Sequence, residues 1–265
     1  MKIIDVHTHA FPDELAERAI QTLQSEAEGV EAVLDGTVGD LLASMDRAGI
    51  TAAVVASIAT RSTQFQPILE WSRHIRSERI IPFPSVHPAD DQAPERIHQI
   101  AEAGFRGLKL HPYYQQFKLD DPKMEEIYRA VDETGLILLC HAGFDIAFAR
   151  ERIADPVRSV RVIERFPNMK LVLAHLGAWE DWDQVQRHLL GRPVYLDISY
   201  CLHLMDRQRA REVLLSHPPQ YLLFGSDSPW ADQAEAIDLF RHLRLQPELE
   251  TAILGRNAQR LLELN

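Results

Sequence analysis

Eight short apolar runs along the chain constrain the fold more than any other feature of the sequence. They are KIIDVH (2–7), TAAVVAS (51–57), RIIPFPSV (79–86), FRGLKL (105–110), LILLCH (136–141), KLVLAH (170–175), VYLDIS (194–199) and YLLFGS (221–226). Each is as long as a strand, is rich in Ile, Val and Leu, and shows little alternation of apolar and polar residues. Such runs are typical of parallel strands that are buried on both faces.

Amphipathic segments with helical periodicity lie between the runs. The clearest has apolar residues at i, i+3, i+4 and i+7, namely Met124, Ile127, Tyr128 and Val131. Pro122 suits the first turn of that helix, and Gly135 suits the cap that follows its last turn. RAGI (47–50), EAGF (102–105) and ETGL (133–136) each lead from a helix into a strand through a glycine. The last residues, 249–265, predict one or two closing helices.

Eight strands that alternate with helices in about 250 residues predict a (β/α)8 barrel, the TIM barrel. We expect one domain over residues 1–265. A doubly wound open sheet is the alternative, but that fold usually carries a Gly-rich phosphate loop after its first strand. The sequence has no such loop there.

Charge and composition limit the partners. The net charge of −11 disfavours nucleic acid, which would favour a basic patch, and disfavours an anionic membrane surface. No apolar stretch reaches the roughly 18 residues of a transmembrane helix, and no secretory signal precedes the first strand. Cys140 and Cys201 do not form a disulfide framework. We expect a cytoplasmic protein that acts on a small molecule, and a homo-oligomer is compatible with the sequence.

Histidines gather at the ends of the predicted strands. His7 and His9 end strand 1, His141 ends strand 5 and His175 ends strand 6, and Asp227 follows strand 8. The C-terminal ends of barrel strands carry the chemistry of this fold, and residues i and i+2 of a strand face the same side. Because neutral imidazole is a common metal ligand, the set predicts a metal site. Five other histidines fall outside these ends and are expected to be solvated or capping: His74, His98, His188, His217 and His242.

Each of these residues also has a plainer interpretation when it is taken alone. A single strand histidine is more often a core residue that bonds a backbone carbonyl, and a single aspartate before a helix is more often its cap. A buried lysine usually pairs with a carboxylate. The metal prediction therefore depends on the whole set.

A set of motifs, in this order along the chain, resembles the amidohydrolase superfamily. They are DVHTH (5–9), GLKLHP (107–112), LLCHAG (138–143), LVLAHLG (171–177), YLDIS (195–199), LLFGSDSPW (222–230) and LGRNAQRLL (254–262). The resemblance is to the amidohydrolase-related, or amidohydrolase 2, branch, which also contains metal-dependent decarboxylases. It identifies the branch and does not identify a substrate.

The resemblance implies one divalent metal held by His7, His9, His141 and Asp227. His175 would contact the water or the substrate instead. A catalytic metal needs an open position, and bound zinc lowers the pKa of water to about 7. Asp227 would then carry the proton of that water, and His175 would stabilise developing negative charge. Zinc suits mixed imidazole and carboxylate ligands, and Mn²⁺ or Fe²⁺ would also accept them.

Lys109 on strand 4 leaves two alternatives open. Binuclear amidohydrolases commonly carry a carboxylated lysine on this strand, which bridges two metals. We expect instead an unmodified Lys109 that meets an anionic substrate group, with His111 beside it. Arg61 would bind a substrate carboxylate, and Trp230 would wall the pocket together with Tyr113 and Tyr114. His87 follows strand 3 at the same rim.

These expectations favour a hydrolase, in which metal-activated water attacks the carbonyl carbon of a lactone, ester or amide. The alternative is a non-oxidative decarboxylase of an aromatic or unsaturated carboxylic acid, which would use the same site. A barrel that binds metal or ligand without catalysis is a third possibility, disfavoured by the presence of all five site residues.

Overall fold

The computed structural model of this protein describes residues 2–27 and 29–264. Each apolar run corresponds to a strand. The strands are β1 Ile4–Thr8, β2 Ala52–Ala56, β3 Ile80–Phe83, β4 Gly107–Leu110, β5 Ile137–Cys140, β6 Lys170–Leu173, β7 Tyr195–Asp197 and β8 Leu222–Leu223. Seven of the eight strands lie within the predicted bounds, and β1 extends one residue beyond its run, to Thr8. Every ladder is parallel and joins strands that are consecutive in the chain, β1 to β3 in one sheet and β4 to β8 in the other. The TIM-barrel prediction is confirmed, and the open sheet is not observed.

Backbone hydrogen bonds join the two sheets at both seams. Between β8 and β1, the Val6 N–H donates to the Phe224 carbonyl at 2.9 Å, and the Asp227 N–H donates to the His7 carbonyl at 2.8 Å. Between β3 and β4, the Lys109 N–H donates to the Pro84 carbonyl at 2.8 Å. Proline has no N–H to donate in return, which explains why β3, with Pro82 and Pro84 at its end, forms no full ladder with β4.

Helices follow the strands as predicted. They are α1 Asp13–Glu26, α2 Val38–Ala48, α3 Phe65–Ile75, α4 Ala93–Glu102, α5 Glu125–Thr134, α6 Pro156–Arg165, α7 Trp182–His188, α8 Arg207–Leu215, α9 Gln233–Arg241, α10 Pro247–Thr251 and α11 Asn257–Leu261. Pro122 opens a short 3-10 turn that continues into α5, and Gly135 ends α5 in the left-handed conformation with φ 66°. Among residues 2–27 and 29–264, no helix has the length and apolar character that a membrane crossing needs.

Apolar side chains form two layers. The barrel interior is filled by one cluster, which includes Val54, Leu139, Val172 and Leu223, and α11 packs into it with Leu261. The second cluster lies between the strands and the surrounding helices. The C-terminal segment that contains Gly255 packs closely against the start of β1. A Cβ atom at Gly255 would lie only 1.9 Å from the Lys2 carbonyl oxygen. The opposite end of the barrel is therefore left for chemistry.

One scattered histidine departs from expectation. His217 is buried, with 3% of its surface exposed, and its Nε2 donates to the Val194 carbonyl at 2.9 Å. The prediction that it is solvated or capping is wrong, because its position after α8 turns the ring inward. His74 and His242 are exposed, as predicted.

Candidate metal centre

A register shift aims the first histidines into the barrel. The β1–β2 pairing is interrupted between Asp5 and Thr8, and such bulges re-aim side chains. Val6 joins the interior apolar cluster, yet His7 also faces the interior, where it contacts Lys109 and Asp197. Asp5 turns away and accepts hydrogen bonds from α9 and from the end of β8. Burial raises the pKa of Asp5 to about 6.

His7, His9 and Asp227 converge. Asp227 Oδ1 lies 3.3 Å from His7 Nε2 and 3.3 Å from His9 Nε2. Asp227 is itself held with φ 70°, a left-handed conformation that is uncommon outside glycine and is found at functional sites. Burial raises the pKa of Asp227, whereas positive charge on the neighbouring His7 and His9 rings would outweigh burial and hold that pKa below its usual range.

The other ring nitrogens show where the protons are. His7 Nδ1 lies 3.0 Å from Asp197 Oδ2, and His9 Nδ1 lies 2.8 Å from the Ala56 carbonyl oxygen. Both oxygens only accept, so in a neutral ring the hydrogen is on Nδ1 and the lone pair is on Nε2. Burial, and then Lys109, lower the pKa of His7 well below its ordinary value, which keeps this ring neutral. Three atoms with free lone pairs therefore face one another, and such a set of atoms suits the ligands of a divalent cation.

His141 and His175 form a second facing pair. His141 Nε2 lies 2.8 Å from the Phe144 carbonyl oxygen, and His175 Nδ1 lies 3.0 Å from the Ser199 carbonyl oxygen. These nitrogens carry the hydrogens. The remaining lone pairs, on His141 Nδ1 and His175 Nε2, lie 3.1 Å apart, and two lone pairs at this distance also call for a cation or a proton between them.

Lys109 lies among these rings. Its side chain is 1% exposed, and Nζ lies 2.9 Å from His7 Nε2. Burial lowers the pKa of Lys109. Within the described part of the chain it has no carboxylate within ion-pair distance, so the plainer interpretation of a lysine paired with an acid does not apply here.

His111 stacks on His141 with ring centroids 4.2 Å apart. Its Nε2 lies 3.3 Å from Asp145 Oδ2, and its buried Nδ1 has no hydrogen-bond partner among the described residues. Tyr114 stands edge-on against His111 at 4.9 Å. Tyr113 is buried, and its hydroxyl donates to the Glu151 carbonyl at 2.6 Å, so Tyr113 holds the loop after β5 in place.

Two predicted substrate residues form no side-chain hydrogen bond with this cluster in the described part of the chain. Arg61 is exposed and precedes the 3-10 turn Ser62–Gln64 after β2; among residues 2–27 and 29–264, no hydrogen bond or ion pair joins it to the clustered side chains. Trp230 is half-buried, and its backbone N–H donates to the Asp227 carbonyl at 3.0 Å. It lines a cavity of about 290 Å³ together with Tyr200.

Sequence reasoning missed three residues of the site: Asp145, Asp197 and Ser199. Asp197 binds His7, Ser199 binds His7 and His175, and Asp145 faces His111 and His141. Asp197 carried a usable signal, because a carboxylate inside the apolar run VYLDIS must be compensated by buried partners. Asp145 and Ser199 carried none.

Comparison with known proteins identifies relatives of this chain. The family model described as Amidohydrolase matches residues 4–264. A dihydroorotase from Marinomonas sp. is 24% identical over 71% of this chain and 65% of its own length. A dihydroorotase from Pseudomonas fluorescens is 28% identical over 69% of this chain and 61% of its own length. The chain thus spans somewhat less than two thirds of these relatives.

Solved structures share the fold over nearly the full length. An uncharacterised TIM-barrel protein from Bordetella bronchiseptica has a TM-score of 0.77 at 20% identity and covers 100% of this chain and 99% of its own. The 5-carboxyvanillate decarboxylase from Sphingomonas paucimobilis has a TM-score of 0.72 at 16% identity, with 100% and 99% covered. A probable 2-pyrone-4,6-dicarboxylic acid hydrolase from Acinetobacter baumannii has a TM-score of 0.69 at 17% identity, with 99% and 100% covered.

Proposed function

Since residues 4–264 match its model, the chain belongs to the amidohydrolase family, and we propose that it is a metal-dependent hydrolase. Its substrate is a lactone, ester or amide of a small organic molecule, and an anionic group on that molecule meets Lys109. The net charge of −11 disfavours nucleic acid as the substrate.

One observation carries this proposal: Asp227 Oδ1 lies 3.3 Å from Nε2 of both His7 and His9, and the Nδ1 atoms of both rings face acceptor oxygens. We assign these three residues and His141 as ligands of one divalent ion, with zinc as the first expectation. Such an ion supplies Lewis-acid polarisation and lowers the pKa of a water molecule. The lone pair that His141 offers to the ion is on Nδ1. In the structure this atom faces His175 and does not face His7.

Asp227 is the proton carrier in this proposal. Its Oδ1 faces the two imidazoles, which leaves Oδ2 to take a proton from the attacking water. The water oxygen bonds to the carbonyl carbon, the bond from that carbon to the leaving oxygen or nitrogen breaks, and Asp227 returns the proton to the leaving atom. A cation beside Asp227 would keep its carboxylate ionised at neutral pH, which suits the first of these steps.

Lys109 supports the anionic substrate and also a second candidate reaction. A buried ammonium group without a carboxylate partner in the described chain suits a substrate carboxylate. That carboxylate could stay on a hydrolysed substrate, or it could leave as CO2 in a decarboxylation of an aromatic or unsaturated acid. The decarboxylase is therefore the second candidate.

A substrate screen in isotopically labelled water separates the two reactions. Metal-reconstituted protein is incubated with lactones, esters, amides, and aromatic and unsaturated carboxylic acids in ¹⁸O water. Hydrolysis places one ¹⁸O atom in the product acid, whereas decarboxylation releases CO2 and adds no solvent oxygen to the product. Release of CO2 without ¹⁸O incorporation would replace the hydrolase proposal by the second candidate. The Asp227→Asn variant, assayed beside the wild type, controls for contaminating esterases.

A further inference from the structure

Asp197, the last residue of β7, joins three strand ends through one carboxylate. It is fully buried, and its Oδ2 lies 3.0 Å from His7 Nδ1. Its Oδ1 accepts from the backbone N–H of His175 at 3.1 Å and of Ser199 at 2.9 Å, and the Ser199 hydroxyl also donates to it. Residues from the ends of β1, β6 and β7 therefore depend on the same side chain.

The ligand-type atoms of His7, His175 and Asp197 lie within 4.8 Å of one another, but their partners match without a cation. The carboxylate of Asp197 accepts a hydrogen from His7 Nδ1, while His175 Nδ1 donates to the Ser199 carbonyl oxygen at 3.0 Å. Donors face acceptors throughout, in contrast to the acceptor atoms around Asp227. Asp197 is thus a partner of the ring and not a metal ligand.

We propose that Asp197 is a positioning residue that selects the ring tautomer of His7 and holds the backbone of His175. By accepting the hydrogen of His7 Nδ1, it leaves the lone pair of Nε2 for a metal ion. The inference deepens the proposed function and rests on it for the effect on turnover. Partners of this kind orient metal-binding imidazoles and make them more basic.

The same carboxylate stabilises an unusual backbone. His175 and Leu176 have φ 58° and 57°, and two successive non-glycine residues in the left-handed region are uncommon. Such a conformation persists only where surrounding contacts hold it. The hydrogen bond from the His175 N–H to Asp197 is one of these contacts, and it places the His175 ring beside His141.

The Asp197→Asn variant tests the tautomer directly. The amide oxygen must occupy the Oδ1 position, because the N–H groups of His175 and Ser199 and the Ser199 hydroxyl all donate there. The amide NH2 group then faces His7 Nδ1 and donates to it. His7 would have to carry its hydrogen on Nε2, the atom that should bind the metal.

Two measurements on the whole protein read this out. Long-range ¹H–¹⁵N spectra of metal-free protein at pH 8 distinguish the protonated from the unprotonated ring nitrogen, and the His7 signals are assigned by their loss in His7→Asn. We expect a hydrogen on Nδ1 in the wild type and on Nε2 in Asp197→Asn. Zn²⁺ affinity, measured by competition with a chelator, should fall roughly 10–100-fold in the variant.

Asp155→Asn is the matched control, because Asp155 is also buried but its carboxylate caps α6 and pairs with Arg158 of that helix; it should leave both readouts unchanged. A wild-type His7 that carries its hydrogen on Nε2 would overturn the proposal, and this test holds even if Asp197→Asn does not fold. An unchanged tautomer in Asp197→Asn, with or without weaker zinc binding, would also overturn it. Neither readout needs a substrate, so failure of the hydrolase proposal is seen separately, in the screen.

Discussion

Two trios of side chains have the same composition, two histidines and one aspartate: His7, His9 and Asp227, and His111, His141 and Asp145. Within each trio, one possible ligand atom from each residue lies within 4.8 Å of the other two. In the first trio the imidazoles give their Nδ1 hydrogens to other acceptors, so lone pairs face the carboxylate. In the second, His141 Nε2 gives its hydrogen to the Phe144 carbonyl.

His111 completes the contrast. Its Nδ1 is buried without a partner in the described chain, so its hydrogen belongs on Nε2, the atom that faces Asp145. Donors and acceptors therefore match around Asp145, whereas the lone pairs around Asp227 need a cation. The free lone pair of His141, on Nδ1, faces His175 outside the second trio. The comparison teaches that the partner of the far ring nitrogen, more than the choice of residues, indicates which cluster holds a metal.

The largest expected effect comes from replacing both imidazoles of the first trio. The double variant His7→Ala, His9→Ala should lose most of its metal and all turnover above background while it keeps the barrel, because it removes two of three facing acceptors. His111→Ala should keep the metal. Elemental analysis of protein purified without chelator, with circular dichroism for the fold, measures both. Equal metal loss in the two variants would remove the distinction between the trios.

Asp227→Asn should reduce turnover even where metal remains. The amide has no basic oxygen to take the proton of the water, and general-base contributions are roughly 10²–10⁴-fold. Asp145→Asn is the matched change in the second trio and should retain far more activity. The kcat of both variants, normalised to bound metal, gives the answer; an Asp227→Asn variant with wild-type kcat per metal ion would exclude Asp227 as the proton carrier.

His175→Asn tests whether His175 stabilises developing charge or binds the metal. As a stabiliser of developing charge, it would lower kcat by roughly 10²–10³-fold when replaced, with the metal retained. That role requires a hydrogen on Nε2 in addition to the one that Nδ1 donates to the Ser199 carbonyl. Metal content and kcat are measured on one preparation. Loss of metal together with kcat would make His175 a ligand and would favour a binuclear site.

Lys109→Met addresses the ion count. An ammonium group 2.9 Å from His7 Nε2 opposes a cation there, so its removal should strengthen metal binding by at least about 1 kcal/mol, or roughly fivefold. We expect an unmodified lysine and one ion per chain in protein prepared with bicarbonate and excess metal. Two ions in the wild type and one in Lys109→Met would instead identify a carboxylated bridge.

The smallest effect concerns a buried histidine outside both trios. Burial lowers the pKa of His217, so the unfolded chain binds a proton that the folded chain does not, and stability is lost as the pH falls through the unfolded value of about 6.5. His217→Gln keeps a donor for the Val194 carbonyl but cannot titrate. Urea unfolding at pH 7.5 and pH 5 should show that this variant loses less stability than the wild type when the pH falls. His74→Gln, which alters an exposed ring, should lose as much stability as the wild type.

The element pattern could be predicted because each strand is an apolar run and each helix has its own periodicity. Seven of the eight strands fall within the predicted runs, and β1 ends one residue beyond its run. Glycines such as Gly135 end helices where their freedom at positive φ is needed. The gathering of His7, His9 and Asp227 followed from their places at strand ends. Arg61 was predicted to bind substrate from its charge alone, and a charge does not determine where a long side chain on an exposed loop will lie.

The sequence by itself determined the barrel and the side chains at its mouth, because parallel strands bring their C-terminal ends together wherever the helices between them are long enough. Only the tertiary structure decided the state of those side chains. The hydrogen of each imidazole is set by partners far along the chain, such as Asp197 for His7 and Ala56 for His9. The bulge before Thr8 is set by pairing with β2. These contacts depend on the relative placement of whole strands, which local pattern does not encode.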